Sequence, residues 1–172
     1  RPFRNGKGSY DLIVPKFRKL AESRNQEKYY VRGTFTRNNM DFAKDVLEFA
    51  DLGFSSMSIE PVVAQPEEEY AIREEDLSRI MDEYDKLAVE YIKLLILNPR
   101  AYRQILAVTF TNKATAEMKE RILTQLYGIW KEDPASDAYL KRIKEDLAKK
   151  PETASLSDRE LRQRAGMALQ IG

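Results

Sequence analysis

The sequence predicts a mainly helical α/β fold with few parallel strands, and three observations carry that prediction. Helical and β-rich segments alternate in the first half of the chain, which favours parallel strands joined by crossover helices. Between residues 77 and 95, apolar side chains recur at intervals of three and four, as in one long amphipathic helix. Residues 104–110 (QILAVTF) are almost continuously apolar, which is typical of a strand buried on both faces.

The first half of the chain contains two predicted helices and two predicted strands. A first helix is predicted by an apolar stripe at helical spacing, formed by Leu12, Ile13, Phe17 and Leu20. Residues 29–36 (YYVRGTFT) are aromatic and β-branched and predict a strand. A second helix, which Gly53 terminates, is predicted by Phe42, Val46, Phe49 and Ala50. Residues 56–63 (SMSIEPVV) predict a second strand, with Pro61 near its end.

The second half is predicted to be helical after the strand at residues 104–110. Thr111 and Asn112 can cap a helix whose apolar face is formed by Met118, Ile122, Leu126, Ile129 and Trp130. Two more polar helices are predicted over residues 135–148 and 157–170, with a break (KKP) between them. Ser157 and Glu160 fit a capping box at the start of the last helix.

Composition restricts the chemistry that the chain can carry. The 172 residues include no cysteine and no histidine, which excludes disulfides, cysteine-bound clusters and the commonest general base and metal ligand. Glu67, Glu68 and Glu69 either form a solvated loop or converge on an ion; we predict the loop and no metal site. No apolar run approaches the ~20 residues that span a bilayer, and no signal peptide opens the chain. We therefore expect a cytoplasmic protein without a membrane partner.

One short segment concentrates groups that suit a nucleic acid. In residues 107–118 (AVTFTNKATAEM), a buried strand brings hydroxyls, an amide and an ammonium to the start of a helix. Free backbone N–H groups at a helix N-terminus suit a phosphate, and the ring of Phe110 beside the cation of Lys113 suits a single strand. The net charge of +4 on residues 94–172, against −3 on residues 1–93, adds a weak indication of the same kind. The alternative is a capped helix after a core strand, without a ligand.

The same segment carries a family resemblance. Residues 105–122 (ILAVTFTNKATAEMKERI) resemble motif Ia of UvrD/Rep/RecB-like superfamily 1 DNA helicases, and the similarity runs from about residue 87 to the chain end. In that family, motif Ia contacts the translocating strand. The resemblance implies a partial RecA-like (P-loop NTPase) segment that derives from an enzyme using ATP and Mg²⁺. It also implies a single-stranded DNA contact formed by Thr109, Phe110, Thr111, Asn112 and Lys113.

The phosphate-binding motif of that family is absent from the expected position. A sequence G-x-x-x-x-G-K-[ST] should come immediately before residues 87–93 (LAVEYIK), but residues 79–86 (RIMDEYDK) contain no glycine. No ATP cradle can be built from these residues, so we expect no bound cofactor and no ATPase motor.

Residues 1–93 resemble a different family, the radical-SAM peptide maturases of the SPASM type. The similarity is carried by residues 1–17, 29–64 and 70–93. It implies a partial (β/α)-barrel whose strand ends line an S-adenosylmethionine pocket, with Arg32 or Glu60 as candidate cofactor-binding residues. The alternative for these two residues is a surface ion pair or a layer inside the barrel. The [4Fe–4S] clusters of that family cannot bind a chain without cysteine.

The two resemblances overlap at residues 87–93 (LAVEYIK), within one shared predicted helix at about residues 74–97. We therefore expect a composite chain, recombined, misassembled or chimeric, with a maturase-like segment at 1–86 and a helicase-like segment at 87–172. The predicted function is single-stranded DNA contact without self-sufficient catalysis. Two alternatives stay open: a radical-SAM remnant that binds S-adenosylmethionine or a peptide without a cluster, and a non-functional chimeric or structural product.

Overall fold

A computed structural model describes residues 8–100 and 112–171, with side chains described for 8–100 and 116–170. Within those ranges the chain is mainly helical with a small parallel sheet, as predicted. The elements are α1 (Tyr10–Ser23), β1 (Val31–Phe35), α2 (Phe42–Asp51), β2 (Met57–Pro61), α3 (Leu77–Leu97), α4 (Asn112–Lys131), α5 (Asp137–Leu147) and α6 (Asp158–Ile171). Single 3₁₀ turns at Glu74–Asp76 and Pro134–Ser136 lead into α3 and α5.

The two strands form a parallel pair with α2 as the crossover between them. The register runs from Val31 opposite Met57 to Phe35 opposite Pro61. We call β1, α2 and β2 the α/β unit. The third predicted strand, at residues 104–110, lies outside the described residues, and the barrel and RecA-like assignments stay predictions.

Aromatic side chains stabilise the α/β unit. Phe35 of β1 and Phe42 of α2 are both fully buried, and their rings stack with centroids 4.4 Å apart. Tyr84 of α3 meets the Phe42 ring edge-on at 5.1 Å, and Ile80 of α3 and Met40 complete the buried cluster. The first half of α3 therefore covers this unit.

The second half of α3 belongs to a larger core. It packs with α4, α5 and α6, and we call this assembly the helical bundle. The buried residues of its core are Ala88, Val89, Ile92, Leu95, Ile96, Ile122, Leu126, Ile129, Leu140, Ile143, Leu147, Leu161, Ala165 and Ala168. The spacing that predicts α3 therefore reflects burial against two different neighbours along one helix.

The last two helices follow their sequence signals closely. The predicted capping box at α6 is confirmed: the Ser157 N–H donates to the Glu160 carboxylate at 2.9 Å, and the Glu160 N–H donates to the Ser157 hydroxyl at 3.3 Å. The Ser157 N–H and the Ser157 hydroxyl both donate to the Glu160 carboxylate, and these two hydrogen bonds lower the pKa of Glu160. The predicted break at residues 149–151 is also present, as turns between α5 and α6.

Helix α1 forms where predicted, but its apolar stripe is not covered. Leu12 is 58% exposed, and Ile13, Phe17 and Leu20 are also exposed, while Ala21 is the buried residue of the helix. Periodicity predicts which face is apolar, but it does not specify a neighbour for that face. None of the described helices combines the length and apolar character of a transmembrane span.

Candidate nucleic-acid interface

The predicted DNA-contact residues lie at and before the start of α4. Asn112 and Lys113 are the first two residues of this helix, and no acidic residue occurs in its first turn. Thr109, Phe110 and Thr111 lie outside the described residues, as do the side chains of Asn112 and Lys113. The structure thus gives the backbone position of the helix start, and the role of the five residues stays a prediction.

Helix α4 is held in place by an apolar face and by a polar network. Ile122, Leu126 and Ile129 are buried in the helical bundle, which fixes the rotation of the helix about its axis. On another side, Asp85 of α3 accepts a hydrogen bond from the Tyr139 hydroxyl of α5 at 2.9 Å and forms an ion pair with Arg121 of α4.

This network perturbs the tyrosine that takes part in it. Burial, and then the hydrogen bond to Asp85, raise the pKa of Tyr139 to about 12. The network joins α3, α4 and α5 through one carboxylate and so helps to fix these helices relative to one another.

Residues 79–86, where the helicase resemblance leads us to expect a phosphate-binding loop, are helical. Helix α3 is continuous through residues 79–86, and its Glu83 is only 4% exposed. The Glu83 carboxylate accepts the Ala43 N–H at the start of α2, at 3.2 Å, and forms an ion pair with Lys86. It therefore caps α2 from a distant part of the sequence, where Asp41 makes no side-chain cap of its own.

These residues do not fit ATP or its Mg²⁺. A phosphate cradle needs a turn of free backbone N–H groups, whereas here the N–H groups are engaged in a helix. The buried carboxylate of Glu83 would also repel phosphate. Sequence reasoning did not single out Glu83, because its partner at Ala43 becomes a neighbour only through folding.

An open groove of about 660 Å³ lies between α2, α3 and α5, and it is a poor site for a polyanion. Carboxylates outnumber cations along it, and Lys86 is already paired. Nearby, Lys93 and Lys149 lie 3.5 and 2.6 Å from Asp146. The hydrogen bond from Lys149 lowers the pKa of Asp146. The described residues include no group of three carboxylates placed to hold a metal ion.

Arg32 and Glu60 are brought together by the parallel sheet. They lie on neighbouring strands and form an ion pair, and the Ser58 hydroxyl donates to Glu60 at 3.3 Å. The Arg32 side chain is 57% exposed. This is the ion-pair alternative considered for these residues, and the two charges neutralise each other. An S-adenosylmethionine role for either residue stays a prediction.

Comparison with known proteins supports one of the two resemblances. The family model of the UvrD/REP helicase N-terminal domain matches residues 86–156, which cover the end of α3 and all of α4 and α5. The predicted resemblance to UvrD-like helicases is thereby confirmed for this part of the chain. The radical-SAM resemblance receives no such support. No curated protein matches the chain.

Proposed function

We propose that this chain contains a UvrD-like helicase segment that contacts single-stranded DNA at the start of α4 and has no catalytic activity by itself. The observation that carries the proposal is the family match over residues 86–156. Helix α4 begins inside the matched range and within the segment that resembles motif Ia, residues 105–122.

The chemistry of the helix start supports an anionic ligand. The first N–H groups of α4 have no partners within the helix, and no acidic residue in the first turn opposes a phosphate. Lys113 adds a cation there, and Phe110 comes two residues before the helix. A phosphate at the N–H groups and a base on the ring are the two contacts that single strands use most.

Helix α3 supports the absence of self-sufficient catalysis. Residues 79–86, where the resemblance leads us to expect the loop that binds the phosphates of ATP, form a helix with a buried carboxylate, that of Glu83. The groups that would turn over a nucleotide are therefore not assembled from residues 79–86.

We extend the proposal to the organisation of the chain, with a first segment at 1–86 and a helicase-like segment at 87–172 that share α3. The family match begins at residue 86, close to this division. The radical-SAM alternative for the first segment has no comparable support. Its two candidate cofactor-binding residues, Arg32 and Glu60, form an ion pair with each other.

Fluorescence anisotropy with labelled oligo(dT) tests the DNA contact. We expect binding that weakens with increasing salt, because Lys and Arg contacts release counterions from the phosphates. Lys113→Gln should weaken binding and reduce the salt dependence, and Phe110→Ala should weaken it roughly 5- to 150-fold through lost stacking.

Lys141→Gln is the matched control. Lys141 is exposed on α5, and its substitution removes the same charge at a place away from the proposed contact. It should leave binding unchanged. Equal losses for Lys113→Gln and Lys141→Gln would reject a localised contact, and absence of any binding at low salt would reject the function. A circular dichroism spectrum of each variant separates loss of contact from loss of fold.

A further inference from the structure

One side of α4 carries exposed apolar side chains that the helical bundle leaves uncovered. Leu123, Tyr127 and Trp130 are between 37% and 54% exposed, while the buried residues of the helix face the bundle core. At about 100° per residue, the three exposed side chains lie within about 60° of one another around the helix. We call this surface, with the exposed charges of Glu120 and Lys131 on one of its borders, the α4 face.

The aromatic part of the α4 face is held in place by packing. The Tyr127 and Trp130 rings meet edge-on, with centroids 5.9 Å apart. The Trp130 indole also lies against Gly166 of α6, where an added Cβ would come within 2.7 Å of its Cδ1 atom. The face is therefore preformed, and a partner can reach it without rearranging α4 or α6.

The border of the α4 face has an acidic end and a basic end. Glu120 lies about one turn before Leu123, and Lys131 lies about one turn after Tyr127, with both charges within about 20° of each other around the helix. The Lys131 ammonium lies 3.7 Å from the centroid of the Trp130 ring, at the edge of the apolar centre. Among the described residues, neither Glu120 nor Lys131 forms an ion pair, so both charges are available to a partner.

The other charges of this helix lie away from that border. Glu132 lies 3.9 Å from Arg162 of α6. Glu117 lies about 60° beyond Glu120 around the helix, and Lys119 lies on the opposite border of the α4 face. Because one anion and one cation share the border, a polyanion would gain little there. A protein surface with the same two charges in reverse order would gain two ion pairs.

A second copy of the chain presents that reverse order. When a two-fold axis relates two antiparallel helices, the same patch of both copies meets itself. With the axis at residues 125–126, Glu120 of each copy lies opposite Lys131 of the other, and the two ion pairs are about 16 Å apart. Leu123 of one copy then lies within about 1.5 Å, along the helix axis, of Tyr127 of the other. A parallel pair would instead bring like charges together.

We propose that two copies of this chain associate through the α4 face, with antiparallel α4 helices and a Glu120–Lys131 ion pair at each end of the apolar centre. The inference goes beyond the proposed DNA contact and does not depend on it. One helix face is smaller than the surfaces of about 1,200–2,000 Å² that stable complexes bury. The dimer is therefore weak, and its population depends on protein concentration.

Sedimentation velocity of nucleic-acid-free protein over a wide concentration range tests the dimer. Glu120→Lys and Lys131→Glu should each weaken it roughly 10-fold, because two ion pairs become two like-charge contacts. An equimolar mixture of these two variants should form a heterodimer of wild-type affinity, since each chain supplies the charge that the other has lost. Tyr127→Ala should weaken the dimer at least roughly 10-fold, because two aromatic contacts are lost. Lys141→Glu on α5 is the control and should have no effect.

Four results would overturn the inference. The first is a monomer at every concentration, and the second is a dimer that both charge reversals leave unchanged. The third is a dimer that Phe17→Ser on the exposed face of α1 abolishes and Tyr127→Ala does not. The fourth is a dimer that forms only with oligo(dT), which would show bridging by DNA. Binding of oligo(dT) by a monomer would leave the proposed function intact. Circular dichroism confirms that each variant is folded.

Discussion

The α/β unit and the helical bundle share helix α3 but are stabilised very differently. Among the described residues, the bundle core has fourteen buried residues and the cluster of the α/β unit has four. Helices also satisfy their own backbone hydrogen bonds, whereas a two-stranded sheet leaves two open edges. The bundle therefore contains the interactions of a stable core, and the α/β unit depends on α3 and on a few aromatic contacts.

The comparison shows how one helix can stabilise two neighbours unequally. Ile80 and Tyr84 face the α/β unit, while Ile92 and Ile96 face the bundle. Because the second set is embedded in a larger core, we expect α3 to stay folded in the bundle when the α/β unit opens. Changes to the α/β unit should then be local, and changes to the bundle should be global.

Phe42→Ala gives the largest expected effect on this comparison. Removing a fully buried ring that stacks on Phe35 should cost about 3–5 kcal/mol and unfold the α/β unit. During urea unfolding of this variant, part of the far-UV circular dichroism signal should be lost at lower urea concentration than in the wild type. The fluorescence of Trp130, which lies in the bundle, should keep its unfolding midpoint.

Leu126→Ala is the counterpart in the bundle. Leu126 is 1% exposed, and its truncation should lower the free energy of unfolding by about 2–5 kcal/mol. The unfolding midpoint reported by Trp130 fluorescence should fall accordingly. A Phe42→Ala variant whose two probes shift together, as they do for Leu126→Ala, would show one cooperative unit and refute the separation.

Glu83→Ala should have an intermediate effect, because it removes a tertiary cap. The Ala43 N–H at the start of α2 would lose its buried acceptor, at a cost of about 1–3 kcal/mol to the α/β unit. Hydrogen exchange of α2 amides measures the loss. Glu75→Ala removes a carboxylate that is 63% exposed and should cost less than about 1 kcal/mol. Equal effects of the two substitutions would contradict a capping role for Glu83.

Tyr139→Phe gives the smallest effect, and it depends on pH. In the folded protein the pKa of Tyr139 is raised to about 12, above the ordinary value near 10. The stabilisation by its hydroxyl is therefore complete below pH 10 and is lost as the pH rises to 12. Because the side chain is partly exposed, the contribution should be below about 1 kcal/mol.

The stability difference between wild type and Tyr139→Phe, measured by Trp130 fluorescence, should therefore shrink between pH 10 and pH 12. Tyr30→Phe serves as the control, since Tyr30 is 64% exposed. A difference that stays constant with pH would contradict the proposed effect of the Asp85 hydrogen bond.

The sequence predicts those features that depend on local spacing. Three such predictions are confirmed: the helix α3 from its apolar spacing, the strands β1 and β2 from their β-rich residues, and the capping box of Ser157 and Glu160. Each of these signals is complete within about twenty residues, so no knowledge of distant partners is needed.

Features that depend on distant partners are not predicted. Spacing predicts Trp130 on the apolar face of α4, but its side chain is 37% exposed although the indole lies against Gly166 of α6. Glu83 looks like a surface residue of an amphipathic helix, yet it is buried against α2. A surface ion pair is one of the alternatives that the sequence offers for Arg32 and Glu60, but their pairing with each other depends on the strand register, which the sequence leaves open.

Hydrogen exchange with and without oligo(dT) tests most directly whether the helicase-like segment is the part that contacts DNA. We predict that a 12-mer slows exchange in peptides covering residues 105–120 and leaves residues 29–63 of the α/β unit unchanged. Protection confined to residues 29–63, or no protection anywhere at low salt, would contradict the account.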